Sequence, residues 1–229
     1  MRPHTPHPKL LYFAERHPSF DRAGFRARWR QHGALGMTLP RWRNIWRYAQ
    51  CDAVAPPATG LEALSCDGVG LVWYRSEETR QAHIADRSGS VTKEDERETF
   101  AWPVAHCAVL TDECVFKRGE TRRHKLFVAA YRAPSLSRVK FLDLWSGAFG
   151  PRVASLVGAL DPHGGYIQNH ARAAPDGAPG FAADCIDEVS VKDPTGFLDR
   201  LRGELDRARL AASIRIVLTE ETTLYQAAE

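Results

Sequence analysis

The 229 residues are 44% hydrophobic, enough for a packed core, so disorder is excluded as the general state and the length allows one large domain or two small ones. A formal charge of +3 supplies no whole-molecule field that would recruit nucleic acid or an anionic membrane. Five scattered cysteines, Cys51, Cys66, Cys107, Cys114 and Cys185, have neither CxxC nor Cys/His ligand spacing, so no metal is expected and reduced thiols in a cytoplasm fit best.

The opening MRPHTPHPK has no apolar run of signal-peptide length, and no stretch approaches the roughly 20 apolar residues of a membrane span. His4 and His7 read as part of a frayed leader. From Lys9, KLLYFAER predicts a buried strand, and HPSFD then supplies a turn and Asp21 as a helix N-cap. Along FRARWRQHGALG, Phe25, Trp29, His32 and Gly36 recur at helical spacing, which puts His32 on the apolar stripe near the helix end. Arg22, Arg26 and Arg30 fall on another, solvated face. Pro40 ends the helical region, and IWRYAQ predicts a strand with Trp46, Tyr48 and Gln50 on one face. Residues 51–64, with Pro56, Pro57 and Gly60, read as a loop. GVGLVWYR is a third strand with Trp73, SEETRQAHIADR a helix capped by Ser76 that carries His83, and AHCAVLTDE a fourth strand that carries His106. Between these last two, Asp95 and Glu96 belong to a charge run, KEDERE, with the look of a solvated helix face.

The pattern then returns. KLLYFAERHPSFD aligns with KLFVAAYRAPSLS from Lys125, and the same offset of 116 carries Phe25 onto Phe141 and Trp29 onto Trp145. Tyr48 and Gln50 match Tyr166 and Gln168, DGVGLVWY matches DCIDEVSV, and VLTDE matches VLTEE. Two copies of a unit this long predict duplicated domains, 9–117 and 124–228, joined by the polar KRGETRR. Strand, helix, strand, strand, helix, strand, given twice, is the ferredoxin-like βαββαβ order, whose sheet keeps one face bare. The expected fold class is α+β: two such units packed sheet-to-sheet within one chain as an α+β barrel pseudo-dimer, with pairing into a further homodimer left open.

Three stretches of the first copy, FRARWRQHGAL with its late-helix histidine, RYAQ, and DGVGLVWYRSEE followed by KEDERETF, resemble the EthD family of dimeric α+β barrel proteins, here in tandem form. FLDLW, GYIQN and DCIDEVSV extend the resemblance through the second copy. It implies a cavity between sheet and helices for small cyclic or aromatic metabolites, with relatives that isomerise, decarboxylate or dehydrate without a cofactor. The family's helix-end histidine falls on His32, and the same offset gives Ala148 in the second copy.

An imidazole titrates near neutrality, so His32 is the expected acid/base residue of a lyase or isomerase. Its bland alternative is a histidine that only caps the helix. Tyr48 is the expected orienting phenol, against a core-edge tyrosine with its hydroxyl satisfied. Trp29, Trp46 and Trp73 are the expected aromatic wall, with His83 and His106 reaching in from the opposite side, although plain core is the commoner use of such residues. Arg43 and Arg47 are candidates for a substrate carboxylate. The barrel superfamily has haem-handling members, but no spacing here selects an axial ligand among His32, His83 and His106, and no cofactor is expected. The strands lack the RNP1 pattern, so RNA is not an expected partner. The alternative to an enzyme is a non-catalytic binding or accessory protein for a small molecule.

Overall fold

The computed structural model describes residues 4–54, 60–120, 122–173 and 179–228, with side chains from Pro8 onward. Pro56 and Pro57, and the side chains of His4 and His7, lie outside the described residues. The first half runs β1 (His4–Ala14), α1 (Arg22–Met37), a 3₁₀ turn (Pro40–Asn44), β2 (Ile45–Ala53), the two-residue β3 (Glu62–Ala63), β4 (Gly68–Tyr74), α2 (Glu77–Ala85), α3 (Gly89–Thr99), α4 (Val104–Cys107) and β5 (Ala108–Lys117). The second runs β6 (His124–Arg132), α5 (Arg138–Leu144), a π-helical turn (Trp145–Phe149), α6 (Gly150–Leu160), β7 (Gly165–Ala171), β8 (Cys185–Ser190), α7 (Pro194–Ala208) and β9 (Ala211–Gln226).

The local signals act as their chemistry requires. The Asp21 carboxylate accepts from the Gly24 N–H at 2.7 Å, Ser137 accepts from Lys140 at 3.2 Å, and Ser76 and Thr79 cap α2 reciprocally. Eight antiparallel strands in the order β2-β4-β1-β5-β7-β8-β6-β9 close through a β2–β9 pairing, and β3 runs parallel to β9 outside this ring. The fold is thus a mixed α+β barrel, as expected. Its seams, β5–β7 and β2–β9, are hydrogen-bonded edges, so the barrel closes through backbone pairing as well as side-chain packing.

Two departures from the sequence reading matter for function. The strand β1 starts at His4, five residues before Lys9, and β5 starts at Ala108, so His106 lies on α4 and is exposed. In β2 a bulge between Ile45 and Arg47 breaks the alternation. Trp46 therefore packs into the barrel interior with Trp73, Leu11 and Phe127, while Tyr48 faces the helices with Phe25 and Trp29.

The interior also holds charge. Lys9, fully buried, bonds Glu113 at 2.8 Å and also pairs with Glu188, which takes Lys125 at 3.1 Å on its other oxygen. Burial pushes the Glu188 carboxyl up, but the two ammonium groups outweigh it and hold the group at about 2.

Candidate functional site

His32 comes from the last part of α1 and is 9% exposed. Its Nδ1 lies 2.6 Å from Asp95 Oδ2, on α3. Burial pushes the Asp95 carboxyl up, but hydrogen bonds from Arg28 and His32 prevail and hold it below its usual range. An ionised carboxylate only accepts, so Nδ1 carries the proton and Nε2 is the nitrogen left for the cavity that His32 lines. The charge run is thus solvated at Lys93, Glu94, Arg97 and Glu98, as expected, but not at Asp95 and Glu96. Thr92, Asp95, Glu96 and Thr99 recur at helical spacing on the side of α3 turned to α1, an inward face made of polar residues.

The cavity, about 130 Å³, brings His32 together with Tyr12, Tyr48, Tyr74, Arg41 and His83 beneath an apolar rim of Leu10, Trp42, Ile45 and Val72. Ligand pockets usually measure about 300–1,000 Å³, so this one suits a small molecule and leaves no room for a haem macrocycle. The phenols can be counted. Trp29 Nε1 donates to Tyr12 Oη at 3.1 Å, Gln50 Nε2 donates to Tyr48 Oη at 2.6 Å, and the two phenol oxygens lie 2.9 Å apart. Two O–H donors share one bond between them, so one phenol proton remains for a ligand. Burial pushes all three tyrosines up, Tyr74 to about 12, so they stay protonated. Tyr12 approaches this closely because Gly70 faces it across the β1–β4 pair, where a Cβ would lie inside the ring.

His83 enters the same cavity from α2. Burial first, and then the Arg41 charge, hold it down at about 4, so it is neutral. Its Nδ1–H donates to the Arg41 carbonyl at 3.1 Å, and Nε2 accepts from Arg41 Nε at 2.9 Å. Both ring nitrogens are spent, which removes it as an axial ligand.

Of the expected residues, His32, Tyr48 and His83 meet at the cavity, and the others do not. Trp29 is fully buried behind it, stacked on Phe25 at 5.5 Å. Trp46 and Trp73 belong to the barrel interior, where Trp73 Nε1 donates to Glu113 at 3.2 Å. His106 is outside on α4. Arg47 is paired with Glu221 at 2.7 Å, so Arg41 is the arginine at the cavity. Tyr12, Arg41, Tyr74 and Asp95 were missed. Gly70 was the available signal for Tyr12, and the spacing of polar residues along α3 for Asp95.

The second half has no equivalent imidazole. The π-helical turn inserts a residue, so Gly150 stands over Gln168 Nε2 as Gly33 stands over Gln50 Nε2. His32 therefore corresponds to Phe149, not Ala148, and Phe149 is fully buried against Trp145. Among the described residues no cluster of three or more His, Cys, Asp or Glu side chains is placed to hold a metal, and no helix is long and apolar enough to cross a membrane.

Residues 17–103 match the EthD domain family. No curated protein gives a match to the sequence. Among solved structures the chain is similar to an anthrone oxidase-like protein, 11% identical over 100% of this chain and 99% of that one, with a TM-score of 0.59. A candidate monooxygenase from Fusobacterium nucleatum is 8% identical over 98% and 99%, with a TM-score of 0.58. A mutant chlorite dismutase from Candidatus Nitrospira defluvii is 10% identical over 95% and 92%, with a TM-score of 0.57. At these identities the likeness is one of fold.

Proposed function

Because residues 17–103 of this chain are an EthD domain, we propose that the protein is a small-molecule enzyme, a cofactor-independent isomerase or lyase, in which His32 moves a proton. Its second half is a degenerate copy of the same module. The observation that carries the reading is the His32–Asp95 pair at the edge of an aromatic cavity in which the Tyr12–Tyr48 pair leaves one phenol O–H uncommitted.

In the reaction, Nε2 of His32 takes a proton from a carbon or oxygen of a small cyclic substrate, and Asp95 stabilises the imidazolium that results. Negative charge develops on the substrate oxygen and is met by the free hydroxyl of the Tyr12–Tyr48 pair. Return of the proton to a different carbon gives isomerisation, and its delivery to a departing hydroxyl gives dehydration with loss of water. No step requires a redox partner.

Proton abstraction is read directly by NMR as exchange of substrate hydrogens in D₂O across a panel of cyclic ketones, lactones and hydroxylated aromatics. His32→Ala should abolish the exchange and Asp95→Asn should slow it about 10²-fold or more. Unchanged exchange in His32→Ala would overturn the proposal. If instead a ligand binds equally to both forms and no product appears, the protein is a binding or accessory module. The oxidase-like and monooxygenase neighbours support a second reading, in which the same carbanion reacts with dioxygen. An oxygen electrode separates it from the first, because only that route consumes oxygen.

A further inference from the structure

Buried arginines in this half of the molecule follow one habit, and Arg41 breaks it. Six arginines between residues 16 and 80 are half-buried: Arg16, Arg28, Arg30, Arg41, Arg47 and Arg80. Five of them hold a carboxylate at ion-pair distance, respectively Asp67, Asp95, Asp52, Glu221 and Glu77. Arg41 is the sixth. Its guanidinium meets the imidazole of His83 through Nε and Nη2 and the hydroxyl of Thr92 through Nη1 at 3.5 Å. No carboxylate of a described residue makes an ion pair with it.

Taking a guanidinium out of water without a counter-charge is unfavourable, and burial lowers the Arg41 pKa accordingly. Asp86 and Glu96 act on it from beyond contact. Glu96, which also lines the cavity, is engaged elsewhere, since its Oε2 accepts the Val104 N–H at 3.0 Å. His83 cannot supply the charge. It offers Arg41 a lone pair and spends its own proton on the Arg41 carbonyl, which fixes the guanidinium without neutralising it. A guanidinium has five N–H donors, and Nε, one on Nη2 and one on Nη1 are committed, so two remain. Two spare donors on a planar fork match the two oxygens of a carboxylate.

We propose that Arg41, positioned by His83, selects the substrate, and that the cavity takes a small monocyclic organic carboxylate. The charged end lies on the guanidinium, and the ring lies among Tyr12, Trp42 and Tyr74. His32 then addresses the ring rather than the carboxylate. This rests on the reading of the cavity as a substrate site, but it concerns binding and needs no turnover.

Benzoate and benzamide serve as probes, because they share a shape and differ in charge. Their dissociation constants at neutral pH, measured by ligand-observed NMR titration of the full chain, should differ about tenfold or more in favour of benzoate, which corresponds to about 1.4 kcal/mol. In Arg41→Gln the two should bind alike, and Arg41→Lys, which keeps the charge without the fork, should recover part of the preference. His32→Ala should keep it. Equal binding by the unaltered protein, no binding of benzoate at millimolar concentration, or a preference that survives Arg41→Gln would each overturn the proposal. The comparison within the unaltered protein stands even if a variant fails to fold. Loss of proton exchange in His32→Ala without anion preference would retire Arg41 alone, and anion preference without exchange would retire the enzyme reading alone.

Discussion

In the first half of the barrel, Gln50 Nε2 bonds the Tyr48 phenol at 2.6 Å and the Trp29 carbonyl at 2.9 Å; in the second, Gln168 Nε2 bonds the Tyr166 phenol at 2.7 Å and the Trp145 carbonyl at 3.1 Å. Arg16 with Asp67 and Arg132 with Asp184 repeat a backbone-to-carboxylate bond of 2.9 Å. On this shared frame the contents differ. Opposite Gly70, β1 places Tyr12 with its phenol toward the helices; at the matching pair, β6 places Val128 and β8 places Asp187, which accepts from Trp145 and Tyr166. Where His32 faces a cavity, Phe149 fills the space. One frame holds a cavity in one half and plain core in the other. What decides between them is a handful of side-chain volumes and a one-residue insertion in a helix.

The largest effect should come from the interior that both halves share. Glu188 stands where the first half has Leu71, and two lysines share it, Lys9 with Glu113 and Lys125 with Glu221 as their other partners. Glu188→Gln leaves Lys9 and Lys125 short of a counter-charge in a buried setting, and should cost about 5 kcal/mol in a urea titration. A loss under about 1 kcal/mol would mean that the network is dispensable.

Next comes the position that the two halves use differently. Phe149→Ala should cost about 4 kcal/mol, as for other buried aromatics cut to alanine. His32→Ala, at the rim of an existing cavity, should stay within about 1 kcal/mol. Equal costs would erase the distinction between a packed and an open half.

The third concerns Asp187, which burial pushes up to about 6 against the opposing bonds from Trp145, Tyr166 and Cys185. A carboxyl raised from 3.8 to about 6 on folding contributes stability that is full below about pH 4 and is lost as pH rises through 6, roughly 3 kcal/mol in all. Asp187→Asn cannot ionise and should flatten that part of the stability profile. Gly70, its counterpart, has nothing to titrate, so a slope that persists in Asp187→Asn has another source.

Much of the architecture was legible in the chain. Asp21, Ser76 and Ser137 marked helix starts because a short polar side chain meets its own backbone within three residues. The paired stretches at Lys9 and Lys125 both became strands, and the aromatic and apolar runs fell into three core clusters. His32 was readable because it rides an apolar stripe. Asp95 and Arg41 resisted for one reason: hydrophobic periodicity assigns polar residues outward, a rule that α2 also breaks by burying His83 and leaving Ile84 58% exposed.

The sequence by itself determined most of the strands and helices and the place of the histidine on α1, since these depend on neighbours a few residues apart. Tertiary structure alone decided that Asp95, 63 positions away, grips His32, that a bulge turns Trp46 from Tyr48, and that a π-helical turn brings Phe149 to the place His32 holds. Each depends on which surfaces meet after the barrel closes, and spacing along a chain carries no record of that.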